Sequence, residues 1–440
     1  MESPAPPPAT AAFAPLSRAQ IEKVQAEKLR DLLRTLWQRN PFWTAKLAAA
    51  GLGPESGSLD LESFRRLPLT TKHELVADQT EHPPYGTNLT FPLKDYVRLH
   101  QTSGTTGRPM RWLDTAASWD WFMGCWSQIY DAVGLGRGGA EEVVAFPFSF
   151  GPFIGFWAAF DGAVRRGYRA LPLGGLSTET RLDVILENRA TVVCCTPTYA
   201  LRLTETAETR GLNLRGSAVR KFVFAGEPGA CLGPIRDRIE AAWDARVFDH
   251  WGMTDIGSLG IEYEQEPSVL QILETECLAE IVDPESGTPV APGELGELVI
   301  TNLGRHGQPV LRYRTGDLVR SATQPAANGS EALRLPGGIL GRTDDMVVIR
   351  GNNVFPSSID AVIRMIPDVV EYRATVRTVR SMPHLVLEVE PRPDEEAADL
   401  PRRVERFFKE RLGFQTEVQL AAVGSLPRFE LKGRRFFREQ

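Results

Sequence analysis

A short segment rich in glycine and hydroxyl side chains is the clearest candidate for chemistry in this sequence. The segment 101–109 reads QTSGTTGRP and directly follows a predicted strand at 96–99. Glycines let backbone N–H groups turn toward an anion without interference from a Cβ, and hydroxyls add further donors. No Gly-Lys-Ser/Thr closes the segment, so it is not a Walker loop. The pattern predicts a phosphate-binding loop, with a plain Ser/Thr/Gly surface loop as the alternative.

Four further segments follow this loop in order: 251–255 (WGMTD), 313–318 (YRTGDL), 341–345 (GRTDD) and 427–432 (PRFELK). Together the five segments resemble the ordered motifs of the adenylate-forming superfamily, which comprises acyl-CoA synthetases, luciferases and peptide-synthetase adenylation domains. The stretch 342–356 and the C-terminal ending are most similar to the phenylacetate-CoA ligase branch. The resemblance implies an enzyme that uses ATP and Mg²⁺ to convert a carboxylic acid to its acyl-adenylate and then forms a CoA thioester.

The resemblance also implies a nucleotide site. Ser103 to Gly107 would hold the triphosphate, Asp317 the ribose hydroxyls, and Arg342 would assist near the ribose and phosphate. A carboxylate suits a vicinal diol because it can accept two hydrogen bonds; a turn aspartate and a surface arginine are the alternatives. The full predicted nucleotide-binding set is Ser103, Gly104, Thr105, Thr106, Gly107, Gly226, Glu227, Pro228, Asp249, Trp251, Gly252, Met253, Thr254, Asp317 and Arg342.

The implied catalytic residues are Lys432, Thr105 and Arg342. An ammonium on a long stem can bridge the substrate carboxylate and the α-phosphate while pyrophosphate leaves; a solvated C-terminal lysine is the alternative. Leu431 stands where relatives usually carry glycine. By the same resemblance, the C-terminal lid rotates about Asp344 between the two half-reactions and brings Gly351 and Asn352 to the thiol path. A plain linker aspartate is the alternative for Asp344.

Two positions depart from the superfamily pattern. Asp255 replaces a glutamate that helps to bind magnesium, and it is one methylene shorter. Magnesium tolerates few geometric errors, so ligation through water is one expectation and a charge near a helix N-terminus is the alternative. Met110 replaces a lysine after the loop proline. Arg108 or Arg111 could supply the missing positive charge, or both could face solvent.

The predicted acid pocket is aromatic. Aromatic walls and small residues suit a flat, mostly apolar acid such as phenylacetate, benzoate or anthranilate. The alternative is that Phe146, Phe148 and Phe150 alternate as a strand that faces its own core, and that His250 is a core histidine. The predicted pocket residues are Phe148, Ser149, Phe150, Gly151, Ala225, His250, Gly252 and Thr254.

Three other functions stay open. An adenylating enzyme could load the aryl acid onto a carrier protein or an amine instead of CoA. An NTPase or phosphotransferase using the same loop would release ADP and phosphate rather than AMP and pyrophosphate. A non-enzymatic acid-binding protein would bind the acid without ATP turnover, and the retained Lys432, Asp317 and Arg342 count against it.

The hydrophobic pattern predicts the elements that must position these residues. Apolar residues at helical spacing predict a helix at 17–38. Buried runs at 143–146, 191–195 and 221–225 alternate with helices near 179–188, 199–210 and 233–243, which is typical of a doubly wound parallel sheet. Short strands at 279–282, 297–300 and 311–314 predict a small antiparallel β subdomain. A strand at 346–350, a helix at 357–365, strands near 371–379 and 385–390, a helix at 397–411 and a strand at 416–420 predict an α+β lid.

The predicted fold class is therefore α/β, with a large N-terminal domain of doubly wound sheets and a small β subdomain, and a smaller mobile α+β C-terminal lid. The predicted boundaries are a flexible tail at 1–16, an adenylation domain at 17–343 and the lid at 344–440. A chain of 440 residues is long enough for such a division.

The composition limits the classes of molecule that this chain is expected to bind. A formal net charge of −6 gives no basic excess for nucleic acid. No apolar stretch approaches the ~20 residues that span a bilayer. Five cysteines without a CxxC pair favour reduced thiols and a cytoplasmic protein. The expected partners are the aryl acid, ATP and CoA, without nucleic acid or membrane, and a homodimer stays open.

Overall fold

The computed structural model describes residues 15–53, 60–102, 109–136, 141–227, 233–343, 347–349, 352–379, 382–392, 397–429 and 434–439. Helices dominate its N-terminal part. Ser17 caps the first helix in a reciprocal capping box with Gln20. Pro41 opens the second helix, where a missing N–H removes no hydrogen bond. The elements are α1 (Arg18–Leu36), α2 (Pro41–Ala49), α3 (Leu61–Phe64), α4 (Lys72–Glu81) and the antiparallel hairpin β1 (Tyr96–Gln101) and β2 (Arg111–Thr115).

A large sheet with helices on both faces follows. Its elements are α5 (Ala116–Ala132), β3 (Val143–Phe146), α6 (Ile154–Arg165), β4 (Arg169–Pro172), α7 (Thr178–Glu187), β5 (Val192–Cys195), α8 (Pro197–Thr209), β6 (Lys221–Phe224), α9 (Gly233–Trp243) and β7 (Arg246–Met253). The five strands are parallel in the order β7-β6-β5-β3-β4. Val144 and Phe146 pack with α5 and α6, while Val143 and Ala145 pack with α7, α8 and α9. Both faces are thus buried, which explains the continuous apolar runs.

Antiparallel strands extend this sheet and form a second, smaller one. The elements are β8 (Gly257–Tyr263), β9 (Glu266–Ile272), β10 (Cys277–Val282), β11 (Leu295–Asn302), β12 (Tyr313–Arg320), β13 (Arg334–Pro336) and β14 (Gly341–Arg342). Strands β8, β9 and β13 join beyond β7 and complete an eight-stranded sheet. Strands β10, β11, β12 and β14 form the four-stranded sheet in that order.

The C-terminal part has its own hydrophobic core. Its elements are the pair β15 (Val347–Ile349) and β16 (Asn352–Val354), then α10 (Pro356–Arg364), β17 (Val369–Val379), β18 (Met382–Pro391), α11 (Leu400–Leu412), β19 (Glu417–Leu420) and β20 (Phe436–Arg438). The four-stranded sheet of this C-terminal part has the strand order β19-β18-β17-β20. Helices α10 and α11 bury Ile359, Val404 and Phe408 against it. Gly413 ends α11 at a φ of 76°, a left-handed conformation that favours glycine.

The structure confirms the predicted α/β class. The predicted helices near 179–188, 199–210 and 233–243 are α7, α8 and α9, and the predicted lid elements lie in the predicted order. The strand predicted at 311–314 begins only at Tyr313. Helix α5 and the antiparallel extension β8-β9-β13 were not predicted from the sequence. Residues 1–14 of the predicted tail lie outside the described residues, and the carbonyl of Leu16 accepts a hydrogen bond from the N–H of Glu331 at 2.9 Å.

The described cysteines carry free thiols, as the composition predicted. Cys125, Cys194, Cys195 and Cys277 are buried free thiols, and Cys231 lies outside the described residues. Burial raises the pKa of the Cys194 thiol to about 12, so it stays protonated at neutral pH. Within the described ranges, none of the helices combines the length and apolar character that crossing a bilayer requires.

Candidate active site

The topology of the large sheet determines where the candidate site lies. From β3 the chain first builds outward to β4 and then crosses back to place β5 on the other side of β3. In open α/β sheets a ligand crevice forms at such a reversal, outside the carboxyl ends of the strands. The segments that leave the carboxyl ends of β3 and β6, and the C-terminal half of β7 with the turn after it, contain the predicted pocket residues.

Aromatic rings line the segment after β3. Phe148 is buried, and its ring centroid lies 5.3 Å from that of Phe150. Phe150 in turn contacts Trp157 at 4.9 Å and Phe160 at 5.4 Å between ring centroids. The Trp157 indole N–H donates to the carbonyl of Gly151 at 2.9 Å, which holds the end of the segment. Ser149 is exposed. Strand β3 ends at Phe146. Phe148 and Phe150 therefore lie beyond its carboxyl end, at the point where the strand order reverses.

His250 lies on β7 and is buried. Its Nδ1 lies 2.7 Å from the carbonyl of Gly260, so Nδ1 carries the proton in the neutral ring. Its ring centroid is 4.8 Å from that of Trp126 on α5. Burial lowers the pKa of His250 to about 4, although the Gly260 carbonyl opposes this shift. His250 is therefore uncharged at neutral pH.

The loop after β6 holds the next predicted residues. Ala225 is half-buried, and Gly226 is exposed at a φ of 92°, which favours glycine. The Glu227 carboxylate accepts hydrogen bonds from the backbone N–H of Thr198, at 2.8 Å, and from the Thr198 hydroxyl. Thr198 lies in the first turn of α8, where free N–H groups favour an anion. Hydrogen bonds thus connect this loop to α8, the helix that follows β5.

The end of β7 makes a tight turn into β8. An added Cβ on Gly252 would lie 2.6 Å from the carbonyl oxygen of Gly257 and 3.0 Å from the Cα of Ser258, so only glycine fits. The backbone N–H of Asp249 donates to Glu262 at 3.2 Å. Met253 and Thr254 are half-buried at the turn itself.

Asp317 contacts two other predicted residues. Its Oδ1 accepts from Nη1 of Arg342 at 2.8 Å, and its Oδ2 accepts from the indole N–H of Trp251 at 2.8 Å. Gly316, beside it, has a φ of 77°, and an added Cβ there would lie 2.7 Å from a guanidinium nitrogen of Arg342. The side chain of Asp317 is only 7% exposed, whereas that of Arg342 is 30% exposed. Trp251, Asp317 and Arg342 therefore form one hydrogen-bonded group.

Asp255 is the predicted magnesium ligand and is buried. Its Oδ2 accepts from the Tyr313 hydroxyl at 2.7 Å, whereas its Oδ1 has no hydrogen-bond partner among the described residues. Burial raises the pKa of Asp255, and the hydrogen bond from Tyr313 opposes this shift. Within the described ranges no three His, Cys, Asp or Glu side chains cluster as a metal site. One carboxylate oxygen without a partner nevertheless fits Mg²⁺, which commonly takes one or two carboxylates beside phosphate oxygens and waters.

Several predicted site residues lie outside the described residues. They are Ser103, Gly104, Thr105, Thr106, Gly107, Pro228, Asp344, Gly351 and Lys432, together with Arg108. Asn352 begins β16. Met110 is buried in the core, so its side chain is not a polar contact. Arg111 is exposed, and its Nη1 donates to the carbonyl of Pro84 at 3.1 Å.

Sequence reasoning missed three residues that support the site. They are Trp126 beside His250, Tyr313 on Asp255, and Arg305, whose Nη1 donates to the carbonyl of Thr254 at 2.7 Å. Arg305 stands in the loop 303–307, whose glycines pack tightly: an added Cβ on Gly304 would lie 2.1 Å from Trp121. A charged residue between two glycines is the signal that could have directed attention to this loop.

Comparison with known proteins supports a common origin over nearly the whole chain. Residues 57–304 match the AMP-binding enzyme family, and residues 351–440 match the AMP-binding enzyme C-terminal domain. Phenylacetate-coenzyme A ligase of Thermus thermophilus is 31% identical over 436 residues, covering 94% of this chain and 95% of that protein. Phenylacetate-coenzyme A ligase of Escherichia coli is 30% identical, covering 96% of each chain.

A solved structure supports the same relationship. 2-Hydroxyisobutyryl-CoA ligase in its postadenylation state, in complex with 2-HIB-AMP, superposes with a TM-score of 0.91 at 29% identity, covering 99% of this chain and 94% of that one. The same ligase in its thioesterification state, with 2-HIB-AMP and CoA, gives a TM-score of 0.73 at 30% identity, covering 98% and 94%. The overall arrangement of this chain is thus closer to the first of these two states.

These matches confirm the resemblance to the adenylate-forming enzymes and to the phenylacetate-CoA ligases among them. The two matched families occupy the N-terminal and C-terminal parts of the chain in the expected order. The identity with the Thermus ligase extends over both parts. This chain therefore belongs to the AMP-binding enzyme family and carries that family's C-terminal domain.

Proposed function

We propose that this chain is an aryl acid–CoA ligase that forms an aryl-adenylate and then an aryl-CoA thioester. The coarser class, an AMP-forming acid–CoA ligase that uses ATP, Mg²⁺ and CoA, follows from the family and its ligase relatives. In the first step the acid carboxylate attacks the α-phosphorus of ATP, and pyrophosphate leaves. In the second step a thiol sulfur attacks the acyl carbon, AMP leaves, and the thiol proton passes to solvent.

The group of aromatic rings after β3, together with an uncharged His250 on β7, is the observation that carries the aryl substrate. Phe148 and Phe150 lie beyond the carboxyl end of β3, and His250 contacts Trp126 from β7. Flat aromatic walls favour a flat aromatic substrate, since offset and edge contacts between rings add to apolar burial. A histidine with a pKa of about 4 places no positive charge there at neutral pH. This environment favours an acid whose carboxylate is its sole charge.

The hydrogen-bonded group around Asp317 is proposed to bind the ribose. Its carboxylate accepts hydrogen bonds from two donors, Arg342 and Trp251, and a carboxylate suits a vicinal diol because it can accept a hydrogen bond from each hydroxyl. Arg342, partly exposed beside it, would face the phosphate side of the nucleotide. The remaining predicted residues would line the nucleotide and the acid: Gly226, Glu227, Pro228, Asp249, Trp251, Gly252, Met253 and Thr254.

The loop Ser103 to Gly107 and the catalytic Lys432 complete the proposal. The loop would bind the triphosphate, with Thr105 closest to the reacting phosphate. Lys432 would bridge the carboxylate and the α-phosphate as charge develops. Asp255 would hold Mg²⁺ through its unpaired Oδ1, either directly or through water. Magnesium, when bound, neutralises charge on the phosphate oxygens.

A rotation of the C-terminal lid is proposed to separate the two steps. The higher similarity to the postadenylation state than to the thioesterification state supports an arrangement suited to the first half-reaction. Asp344 lies at the proposed boundary and would act as the hinge. Rotation would withdraw Lys432 and bring Gly351 and Asn352 to the thiol path. The boundaries 1–16, 17–343 and 344–440 stay part of this proposal.

A short branched hydroxy acid is the second candidate substrate. The structural similarity to a 2-hydroxyisobutyryl-CoA ligase, at a TM-score of 0.91 and 29% identity, favours it. The aromatic rings around Phe150 favour an aryl acid instead, because ring–ring contacts add to apolar burial. The two candidates differ in substrate size, so a direct comparison separates them.

Product analysis with a panel of acids tests the proposal. The purified chain is incubated with ATP, Mg²⁺ and CoA and with phenylacetate, benzoate, anthranilate or 2-hydroxyisobutyrate, and thioester, AMP and ADP are measured by mass spectrometry. We expect AMP and a CoA thioester from at least one aryl acid. Turnover of 2-hydroxyisobutyrate with no aryl acid active would overturn the aryl assignment. A parallel reaction replaces CoA by a carrier protein or an amine: transfer there, with no thioester formed from CoA, would overturn the acceptor. ADP as the product would overturn the reaction.

A further inference from the structure

Arg305 is fully buried at a point where three separate segments meet. Its Nε and Nη2 donate to the two carboxylate oxygens of Asp114 on β2, at 2.7 and 2.8 Å. Its Nη1 donates to the carbonyl of Thr254 at 2.7 Å and to that of Asp255 at 3.3 Å. One guanidinium thus joins β2, the strand that follows the predicted phosphate-loop segment, the connection between β11 and β12, and the turn after β7.

The surroundings of this guanidinium fix its orientation. The rings of Trp112 and Phe122 lie 4.9 and 5.2 Å from its central carbon, within the range of cation–π attraction. Burial alone would raise the pKa of Asp114, but Arg305 and His100 lower it overall, so the carboxylate is ionised. A bidentate pair between a planar guanidinium and a carboxylate allows one relative orientation, which a lysine cannot reproduce.

The two carbonyls that Arg305 binds belong to the turn that carries the proposed nucleotide and metal residues. The turn lies between the end of β7 at Met253 and the start of β8 at Gly257. Fixing the carbonyls of Thr254 and Asp255 fixes the planes of the peptide groups that follow them, and so the direction in which the Asp255 side chain leaves the backbone. Arg305 is placed to hold that direction without touching a substrate.

We propose that Arg305 is a positioning residue: through Asp114 it anchors the Thr254–Asp255 turn and thereby orients the Asp255 carboxylate for the metal-bound nucleotide. This inference rests on the proposed function. Misplacement of a binding group by about 1 Å can cost about 10²-fold in rate, so a small shift of the turn has a measurable effect. A purely structural arginine would contribute to stability and leave the kinetics unchanged.

The test compares Arg305→Lys with a matched control, Arg166→Lys. Arg166 is built in the same way, because its guanidinium binds the carbonyls of Ser127 and Leu135 at 3.0 and 2.7 Å and pairs with Asp131 at 2.7 Å. It is the C-cap residue of α6 and contacts the C-terminal end of α5, away from the turn. Both variants replace a buried guanidinium group, which donates several hydrogen bonds, by a single ammonium group, so both should lower Tm.

Three measurements are made on each full-length protein: kcat with its KM values, the Mg²⁺ concentration for half-maximal rate, and the rise in Tm on adding ATP and Mg²⁺ without acid. For Arg305→Lys we expect kcat to fall about tenfold or more, the Mg²⁺ requirement to rise, and the nucleotide-induced rise in Tm to shrink. The KM for the acid should change much less. For Arg166→Lys we expect kinetics within about twofold of wild type.

Wild-type kinetics and an undiminished nucleotide response in Arg305→Lys would overturn the inference. If Arg305→Lys does not yield folded protein, Asp114→Asn is measured instead, because an amide keeps the volume and one acceptor oxygen while weakening the anchor; the same pattern at smaller amplitude is expected, and unchanged kinetics would again overturn it. Wild-type protein that forms no AMP with any acid would remove the proposed function itself, a result distinguishable from an active wild type with an equally active Arg305→Lys.

Discussion

Replacing Asp317 by asparagine should weaken ATP use sharply while leaving the fold intact. The substitution keeps the side-chain volume but removes the charge and turns one carboxylate oxygen into an NH₂ donor. Both known partners of Asp317, the Arg342 guanidinium and the Trp251 indole N–H, are donors at 2.8 Å. Whichever way the amide turns, its NH₂ group faces a donor, and it would face the ribose hydroxyls with one acceptor oxygen fewer.

The size of the effect follows from the hydrogen bonds at stake. A hydrogen bond to a charged group contributes about 1.5–3 kcal/mol, and about 1.4 kcal/mol corresponds to a tenfold change. Loss of one charge-assisted bond to the ribose therefore predicts a fall in kcat/KM for ATP of about 10- to 150-fold. Loss of the partly buried ion pair with Arg342 should also lower the free energy of unfolding, by about 1–3 kcal/mol.

The assay measures kcat and KM for ATP at saturating acid and CoA, with urea unfolding of the same protein. Asp161→Asn is the matched control, because Asp161 also accepts from an arginine, Arg98 at 2.6 Å, and from an indole N–H, that of Trp119 at 3.0 Å. The control should lose stability without losing ATP use. Equal kcat/KM for ATP in the two variants, or a value for Asp317→Asn within about threefold of wild type, would refute the ribose assignment.

Three further predictions concern catalysis, pH and packing. Lys432→Ala should lower acyl-adenylate formation, measured by ATP–pyrophosphate exchange, about 10²–10³-fold while a pre-formed acyl-adenylate still reacts with CoA; equal loss in both half-reactions would contradict its role. Burial lowers the pKa of His250 to about 4, so the folded state binds fewer protons than the unfolded state between that value and about 6.5. Stability from this site is complete above about pH 6.5 and falls by about 3 kcal/mol as the pH drops to 4. Urea unfolding at pH 7 and pH 5 should show less acid sensitivity in His250→Gln than in wild type, and equal sensitivity would show that the histidine titrates normally. Gly252→Ala should lower both Tm and activity, because its Cβ would meet the Gly257 carbonyl at 2.6 Å, whereas Gly124→Ala, with open space around it in α5, should gain about 1 kcal/mol; similar behaviour of the two variants would contradict the packing account.

Much of the fold could be predicted because its signals are local. The parallel strands have both faces buried, so 143–146 and 222–224 are continuous apolar runs between helices. Helix α1 follows from its capping residues and its apolar spacing. Helix α5 escaped prediction because it is buried on most of its surface: Trp119, Phe122, Trp126 and Tyr130 leave little of the polar face that marks an amphipathic helix.

The candidate site was predictable as a set of motifs but not as a geometry. Trp251, Asp317 and Arg342 were named from separate segments, and the structure brings them into contact. No local pattern reveals that Tyr313 binds Asp255 or that Arg305 holds the turn after β7, because these contacts join residues 58 and 51 positions apart. Such pairs depend on how two sheets pack together, which periodicity and turn chemistry do not specify.

The contact between the two sheets shows why the site residues and the fold depend on each other. Trp251 on β7 donates to Asp317 on β12, and in return Tyr313 on β12 donates to Asp255 in the turn after β7. Tyr313 and Asp317 are four positions apart on one strand, and the side chains of both reach residues at the end of β7 and in the turn after it. The two carboxylates proposed to bind the ribose and the metal thus both accept hydrogen bonds between the two sheets. Because each carboxylate has both tasks, a shift of the small sheet against the large one would misplace the ribose and metal contacts together, and changes far from the nucleotide that loosen this joint should weaken both.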